Sequence, residues 1–513
     1  MKSLFTTEQI RNLDNFAITK IGFPSIVLME NGTNSILNII SDFFKTQFSN
    51  KSFSIFCGKG NNGGDGISLA RKLVLEGSYV NLYLLFPEKN LSPDAATNLR
   101  ILKSLGKEFK NFRIILLRNQ IKKIEFQKTD FVIDAILGSG STGSLDSFLK
   151  SLIEKMNSSF GKKIAIDIPT GLNSLNSTGD VLFNADLTIS LGGLKDSLFY
   201  GKGYESSGEV RYGDIGICPK IIEKSSKTKL VEIEDLINLI PKKRKTINKY
   251  SSGKCNIIAG SSEYPGAPVL TAKSAMKTGS GAVTLHIPEI LKIQTIKSFP
   301  EVVVKSYSNS NFLTLESLSE IQDGLTKSDT VVIGPGLGRN RETFSAVNYV
   351  MLNMQVKKVI DADSLFALSQ FGYKNYDLSN AILTPHLGEF ACLINVEHGF
   401  LAENLIKLGK DFVKKTNSIL VLKGPSTLIF SGDELFISSL GNRGLAKFGT
   451  GDVLAGMIGS FSAQGASLLE SALAGVILHG FCSELIKNSE SSYTLTASDL
   501  IRTIPNAFKK LGI

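Results

Sequence analysis

A chain of 513 residues is too long for one ordinary hydrophobic core, so two domains are expected. Ordinary apolar content, 47 glycines and no tryptophan suit an α/β protein rich in loop glycines, and the net charge of +10 fits anionic small molecules. No interleaved aromatic and basic run of the kind a single-strand nucleic-acid binder needs is present, and five scattered cysteines argue against a disulfide framework and a zinc site, so a reducing, cytoplasmic compartment is expected. Glu8 and Arg11 fall where a secretory signal needs its apolar run.

The first half alternates short apolar runs (FSIFCG, YVNLYLLF, RIILL, FVIDAIL, KKIAIDI, ADLTISL) with amphipathic segments, the order of a doubly wound parallel sheet. Ligands of such sheets sit beyond the carboxyl ends of the strands. The first of these loops, GKGNNGGDG at 58 to 66, matches the dinucleotide pattern at Gly58, Gly60 and Gly63. A pyrophosphate loop needs bare backbone, however, and here Asn61, Asn62 and Asp65 bring side-chain oxygens and amides; a glycine turn with Asp65 capping the next helix is the structural alternative. FVIDAILGSGSTGS places Asp134 at a strand end before the small-residue loop Gly138 to Ser144, and KKIAIDIPTGL ends a strand with Asp167, Pro169 and Thr170. Asn62, Asp134 and Thr170 are hard oxygen donors suited to a group 1 or group 2 cation, and Asp167 is a candidate acid or base.

NNGGDG, DAILGSG and DIPTGL, with LMENG at 28 to 32, resemble the NAD(P)H-hydrate epimerase family, which has a Rossmann-like fold. The resemblance implies that Asn61, Asn62, Gly63, Gly64 and Asp65, the loop Gly138, Ser139, Gly140, Ser141, Thr142, Gly143 and Ser144, and Asp167 contact the hydrated nicotinamide nucleotide. It also implies that Asn62, Asp134 and Thr170 ligate K⁺, and that Asp167 helps the ring hydroxyl change face. This chain departs from the family at Gly32-Thr33, where ENAG is usual, and at Asn173, where an acid commonly follows GL.

Residues 223 to 250 read as a linker and domain entry between a first domain at 1–222 and a second at 251–513. The basic cluster Lys242 to Lys245 is assigned to a solvated linker. A second α/β pattern follows, with a glycine-rich turn after KCNIIAG, backbone open to a ligand at Gly334 to Gly338, Asp361 and Asp363 at a strand end, His386 and Glu389 after NAILTP, and Lys423 in VLKGPST. No P-loop occurs. In NRGLAKFGTGDVLAGMI, Gly449, Thr450 and Gly451 precede a helix expected to begin at Asp452, and unpaired N–H groups at such a start make an anion site. A carboxylate beside a bound phosphate needs another task, and taking the proton from an attacking hydroxyl is one. The longest uncharged run, Val453 to Leu469, is too short to span a bilayer and reads as a buried helix, a turn at Gln464-Gly465 and a second helix opened by a capping box from Ser467 to Glu470.

GPGLG, IDAD, TPHLGE, KGPST and GTGDVLAG, in that order, resemble the ADP-dependent NAD(P)H-hydrate dehydratase family, which has a ribokinase-like fold. The resemblance implies that Ala267, Gly338, His386 and Asp452 contact the hydrate, that Lys423, Gly424, Pro425, Ser426, Thr427 and Gly451 contact ADP, and that Mg²⁺ neutralises the polyphosphate. Departures are Leu387, Phe366, Asn248 and above all Phe448, expected to narrow the anion loop. The expected protein is a bifunctional enzyme acting on hydrated NADH or NADPH, a homo-oligomer with no nucleic-acid or membrane partner. Two rivals are a ribokinase-like kinase of a vitamin precursor with a regulatory first domain, and a nucleotide-binding sensor without activity.

Overall fold

The computed structural model describes residues 1–117, 121, 124, 129–140, 144–308, 310–488 and 491–513. The chain divides into two compact units, Ser3–Thr228 and Lys229–Ile513, the second joined by Met1 and Lys2.

In the first unit the helices used below are α1 (Thr7–Phe16), α2 (Ser25–Phe44) and α3 (Asn61–Leu75). The strands are β1 (Ser52–Cys57), β2 (Tyr79–Leu84), β3 (Phe112–Leu116), β4 (Phe131–Ala135), β5 (Lys162–Ile166), β6 (Leu187–Leu191) and β7 (Glu209–Gly213). They form one seven-stranded sheet in the order β3-β2-β1-β4-β5-β6-β7, and every pairing is parallel. Phe53, Ile55, Ile133, Ile164 and Ile189 are wholly buried in its core, which is why these strands read as continuous apolar runs. Because β1 pairs with β2 on one side and β4 on the other, the chain reverses direction across the sheet there, and the loops after β1 and β4 open a crevice at their carboxyl ends.

The second unit carries α4 (Gly266–Thr278), α5 (Asp363–Phe371), α6 (Leu387–Ile394), α7 (Thr450–Ala463) and α8 (Leu468–Lys487). Its strands include β8 (Lys254–Ile258), β9 (Ala282–Pro288), β10 (Val303–Tyr307), β11 (Thr330–Ile333), β12 (Lys357–Ile360), β13 (Ala381–Leu383), β14 (Ile419–Leu422), β15 (Thr427–Ser431) and β16 (Glu434–Ser438). They lie in the order β10-β9-β8-β11-β12-β13-β14-β15-β16, parallel up to β14 and antiparallel beyond it.

Helix α7 starts at Thr450 rather than Asp452, with Gly449 in the left-handed region at φ 89° as its N-cap. From Val453 to Ala463 every residue of α7 is buried. Glycines let it sink that far: a Cβ at Gly456 would lie 2.0 Å from Ser274 Oγ and 2.3 Å from Thr271 O on α4, and one at Gly459 would lie 2.3 Å from Val332 Cγ2 on β11. Its half-buried first turn is therefore carried on a rigid shaft. The capping box expected at Ser467 is present, with Ser467 accepting from Glu470 N and Glu470 accepting from Ser467 N. Among the described residues only α8 is long and apolar enough to cross a membrane by length and composition, and most of it is buried inside the unit.

Candidate active sites

In the first unit three strand-end loops meet. A Cβ at Gly58 would lie 1.9 Å from Ile136 O, and one at Gly63 would lie 2.0 Å from Gly58 O, so these glycines let the loops after β1 and β4 touch and α3 start against them. Gly138 completes the contact, since a Cβ there would sit 3.1 Å from Asn62 Cβ and 3.2 Å from Asp167 Oδ2. Asn62, Gly138, Ser139 and Asp167 therefore converge. Gly64 instead faces Met29 and Ala95 in the core, Asn61, Gly140 and Ser144 are exposed, and Ser141, Thr142 and Gly143 lie outside the described residues. Asp65 is not a cap: it is the fifth residue of α3, buried at 8% exposure, so the capping part of the structural alternative for this loop fails.

Asp134 accepts from Thr170 N and from Thr170 Oγ1, both at 2.7 Å, and from Ile136 N at 3.1 Å. Burial pushes its carboxyl up to about 6 despite these three donors. Nearby, both side-chain polar atoms of Asn62 are buried and have no hydrogen-bond partner among the described residues. Asp167 leaves β5 in the left-handed region at φ 72°, a strained conformation for a non-glycine, held by its own N–H donating to Ile189 O at 2.8 Å. Its Oδ1 is 2.6 Å from Lys195 Nζ, and its Oδ2 accepts from Ser139 N at 3.0 Å. Lys195 is 1% exposed and also donates to Leu191 O at 2.9 Å. One buried ammonium cannot balance every carboxyl around it. Burial first, then Asp167 and Asp14, push Asp65 well above the usual carboxylate range. Burial, opposed by Lys195 and helped by Asp167, raises Asp14 to about 6.

The second unit repeats the arrangement. Asp361, 2% exposed at the end of β12, accepts from Lys423 Nζ at 2.9 Å and from Thr384 Oγ1 at 2.7 Å. Ala362 follows at φ 47°, ψ −122°, a second strained non-glycine, and turns the chain so that Asp363 opens α5 and accepts from Gly338 N at 2.9 Å. Gly336 brings the glycine loop against α4, where a Cβ would lie 2.9 Å from Ala267 Cβ. Lys423 is held by its N–H donating to Pro385 O at 2.8 Å, and its Nζ lies 3.5 Å from where a Cβ on Gly451 would be. Lys423, Asp361, Gly451 and Asp452 thus stand together at the start of α7. Burial and the Asp361 carboxylate, opposed by Lys423, raise Asp452 to about 7. Burial alone would lower Lys423, but Asp361, Glu389 and Asp452 together outweigh it and the ammonium is held above its ordinary value.

His386 is the N-cap of α6: its Nδ1 accepts from Gly388 N at 3.0 Å and Glu389 N at 3.2 Å, which leaves Nε2 to carry the proton, 3.6 Å from Glu389 Oε1. Gly424 and Pro425 form the exposed turn into β15, while Ser426 is buried and Thr427 begins the strand. Phe448 does not narrow the anion loop; its side chain stands entirely in solvent. Phe366 forms a face for the Arg339 guanidinium, 4.4 Å from the ring centre.

Sequence reasoning missed Lys195, Asp14 and His479. Lys195 follows the small-residue stretch LGGL after a buried strand, a context in which a lysine has no solvent to face, and that signal is readable. His479 is the lone charge-capable residue in VILHGF; burial pushes it down to about 4, so it is neutral, and its Nε2 donates to Thr450 O at 3.0 Å, tying α8 to the first turn of α7.

Fold and sites together define a two-domain α/β enzyme, one half Rossmann-like and the other ribokinase-like, each with a lysine-balanced carboxylate cluster at strand ends. Residues 255–506 match the family model for NAD(P)H-hydrate dehydratase, and residues 25–197 match that for the YjeF-related protein N-terminus. The chain is 32% identical to the bifunctional NAD(P)H-hydrate repair enzyme Nnr of Dictyoglomus turgidum, over 99% of this chain and 98% of that protein. It is 30% identical to the protein of the same name from Escherichia coli over 88% of this chain and 84% of that one. A ribokinase-like superfamily protein of Enterococcus faecalis shares the fold of 56% of this chain over 96% of its own length, at 24% identity and a TM-score of 0.50. The chain belongs to the family of bifunctional NAD(P)H-hydrate repair enzymes, which join an epimerase to a dehydratase.

Replacing Lys195 by Met strands the Asp167 carboxylate in buried surroundings without its cation. We expect a loss of about 3 kcal/mol in the first unit, measured as faster hydrogen exchange of the β5 and β6 amides, with the β11 and β12 amides of the second unit unchanged.

Proposed function

We propose that the first unit interconverts the R and S hydrates of NADH or NADPH, and that the second dehydrates the S form with ADP as phosphoryl donor, releasing AMP and phosphate. The observation that carries the second half is the placing of Asp452 in the first turn of a buried, rigid helix, beside Gly451 and the Lys423–Asp361 pair. A carboxyl raised to about 7 is poised to accept a proton at neutral pH. Asp452 takes the proton of the ring hydroxyl as the hydroxyl oxygen attacks the β-phosphoryl group of ADP and AMP departs; inorganic phosphate then leaves the ring carbon with the electrons of the C–O bond while the adjacent ring carbon loses a proton, which restores the dihydronicotinamide double bond. The N–H groups of the α7 start and the Lys423 ammonium stabilise charge on the transferring group. Mg²⁺, bound with the nucleotide, would neutralise the polyphosphate charge.

In the first unit Asp167 serves as acid or base toward the ring hydroxyl, set in place by Lys195 and Ser139 N. Asn62, Asp134 and Thr170 would hold K⁺, which would balance the Asp134 carboxylate; the partnerless buried amide of Asn62 fits that role. The set is one of hard oxygens, and among the described residues no cluster of three His, Cys, Asp or Glu side chains offers a transition-metal cage. Five free cysteines fit a cytoplasmic location.

The test mixes purified protein with each pure hydrate, ADP and Mg²⁺ and follows absorbance of the reduced cofactor. Asp452→Asn is expected to lower dehydration by roughly three orders of magnitude and to spare epimerisation, and Asp167→Asn to do the reverse; loss of both activities from either change contradicts two separate sites. A stable phosphorylated product would favour the kinase reading. Dehydration also depends on pH with a defined sign. A base must be ionised, so the rate falls as pH drops through about 7, where the Asp452 carboxyl gains its proton, by roughly tenfold between pH 8 and pH 6. An acid limb centred near pH 4 would remove Asp452 from that role.

A further inference from the structure

The segment ahead of residue 25, where the match to the first family model begins, is built into the first site. Phe5 N donates to Leu194 O at 2.9 Å and Phe5 O accepts from Asp196 N at 2.9 Å, so the backbone clasps the loop on both sides of Lys195. On α1, Ile10 closes over the same loop: a Cβ at Gly193 would lie 2.4 Å from Ile10 Cδ1. Arg11 donates to the carbonyl of Ser139, the residue whose own N–H holds Asp167 Oδ2. One turn further, on the face of Ile10, Asp14 presents an Oδ1 that is buried and has no hydrogen-bond partner among the described residues. Both oxygens of Asp167, by contrast, are engaged, one by Lys195 and one by Ser139 N.

We propose that α1 completes the epimerase site and that Asp14 is a positioning residue, sharing the Lys195 ammonium with Asp167 and thereby setting how tightly Asp167 is held. The proposal rests on Asp167 being the proton carrier of that site. When Asp14 carries a proton, the ammonium has one close anion and pins Asp167 Oδ1. When Asp14 is ionised, the ammonium is divided between two carboxylates and Asp167 is freer to take a proton from the ring hydroxyl. Asp14 stands in the electrostatic field of Lys195, Asp167 and Asp65, with Arg11 three residues earlier on its own helix. Burial first, then Asp167 and Asp14, hold Asp65 well above the usual carboxylate range. Burial raises Asp14 to about 6, which puts the change of state close to neutrality.

The experiment uses the full chain and measures epimerisation and dehydration from about pH 5 to 8 in the parent, Asp14→Asn, Asp14→Glu and Asp167→Asn. The parent is expected to show a rise in epimerisation through about pH 6. Asp14→Asn is expected to lose that inflection and to lower kcat by roughly tenfold or more at pH 8 with KM little changed, while Asp14→Glu restores the inflection. Dehydration, read on the same preparations, is expected to be unchanged in all of them. The proposal is overturned if Asp14→Asn keeps the parent rate and inflection, or if its rate falls by one factor at every pH while the inflection survives, as a merely structural role requires. If Asp167→Asn still epimerises, the reading of Asp167 itself fails and this proposal fails with it.

Discussion

A single ammonium set among several carboxyls, buried in the first unit and part-buried in the second, governs both halves of this protein. In the first unit Lys195 pairs with Asp167 while Asp14 and Asp65 stand within its field; in the second Lys423 pairs with Asp361 while Asp452 stands in its field, with Asp363 adding to the negative side. Removing charges from water is costly unless they are paired, so one cation supports one fully ionised partner and leaves the rest protonated further up the pH scale than free carboxyls are. The same arithmetic that would be a defect in a core supplies groups able to hold or release a proton near neutrality. Burial above all, helped by the neighbouring carboxylates and opposed by the ammonium, raises Asp452 to about 7 and Asp14 to about 6.

Such clusters last only where the backbone over-determines them. Asp167 and Ala362 both sit at positive φ immediately after or within a strand end, conformations costing about 1 to 3 kcal/mol each. In each case flanking hydrogen bonds fix the turn: Asp167 N to Ile189 O, Leu365 N to Ala362 O. The dehydratase half adds a buried helix as a mount. Because α7 is enclosed by α4, α8 and β11, with glycines at each close approach, its first turn cannot drift, and His479 ties that turn to α8. Precise placement of a proton acceptor against a transferring group is worth far more in rate than its chemical identity alone.

The strands and their loops were legible because parallel sheets buried on both faces leave unbroken apolar runs, and the six such runs of the first half all became strands. The seventh, β7, was not seen: it is an edge strand whose residues Glu209 and Arg211 face solvent, so no apolar run announces it. The loops carrying Asn62, Gly138, Ser139, Asp167, Lys423, Gly451 and Asp452 were legible as polar or glycine-rich breaks after strands, and the structure brings those within each half together. Lys195 is readable as a lysine with no solvent to face, but its pairing is not, because nothing in the sequence points to a partner 28 positions away. Asp14 was hidden for the same reason, and the exposure of Phe448 depends on a side-chain direction that spacing does not encode.

The central claim is that the hydrate's hydroxyl oxygen, relieved of its proton by Asp452, captures a phosphoryl group before it leaves the ring. Labelling that hydroxyl with heavy oxygen and running the dehydration to completion with ADP tests this directly. The account predicts that the label is recovered in inorganic phosphate. Its recovery in bulk water, with unlabelled phosphate, would show that water leaves without phosphorylation and would contradict the account.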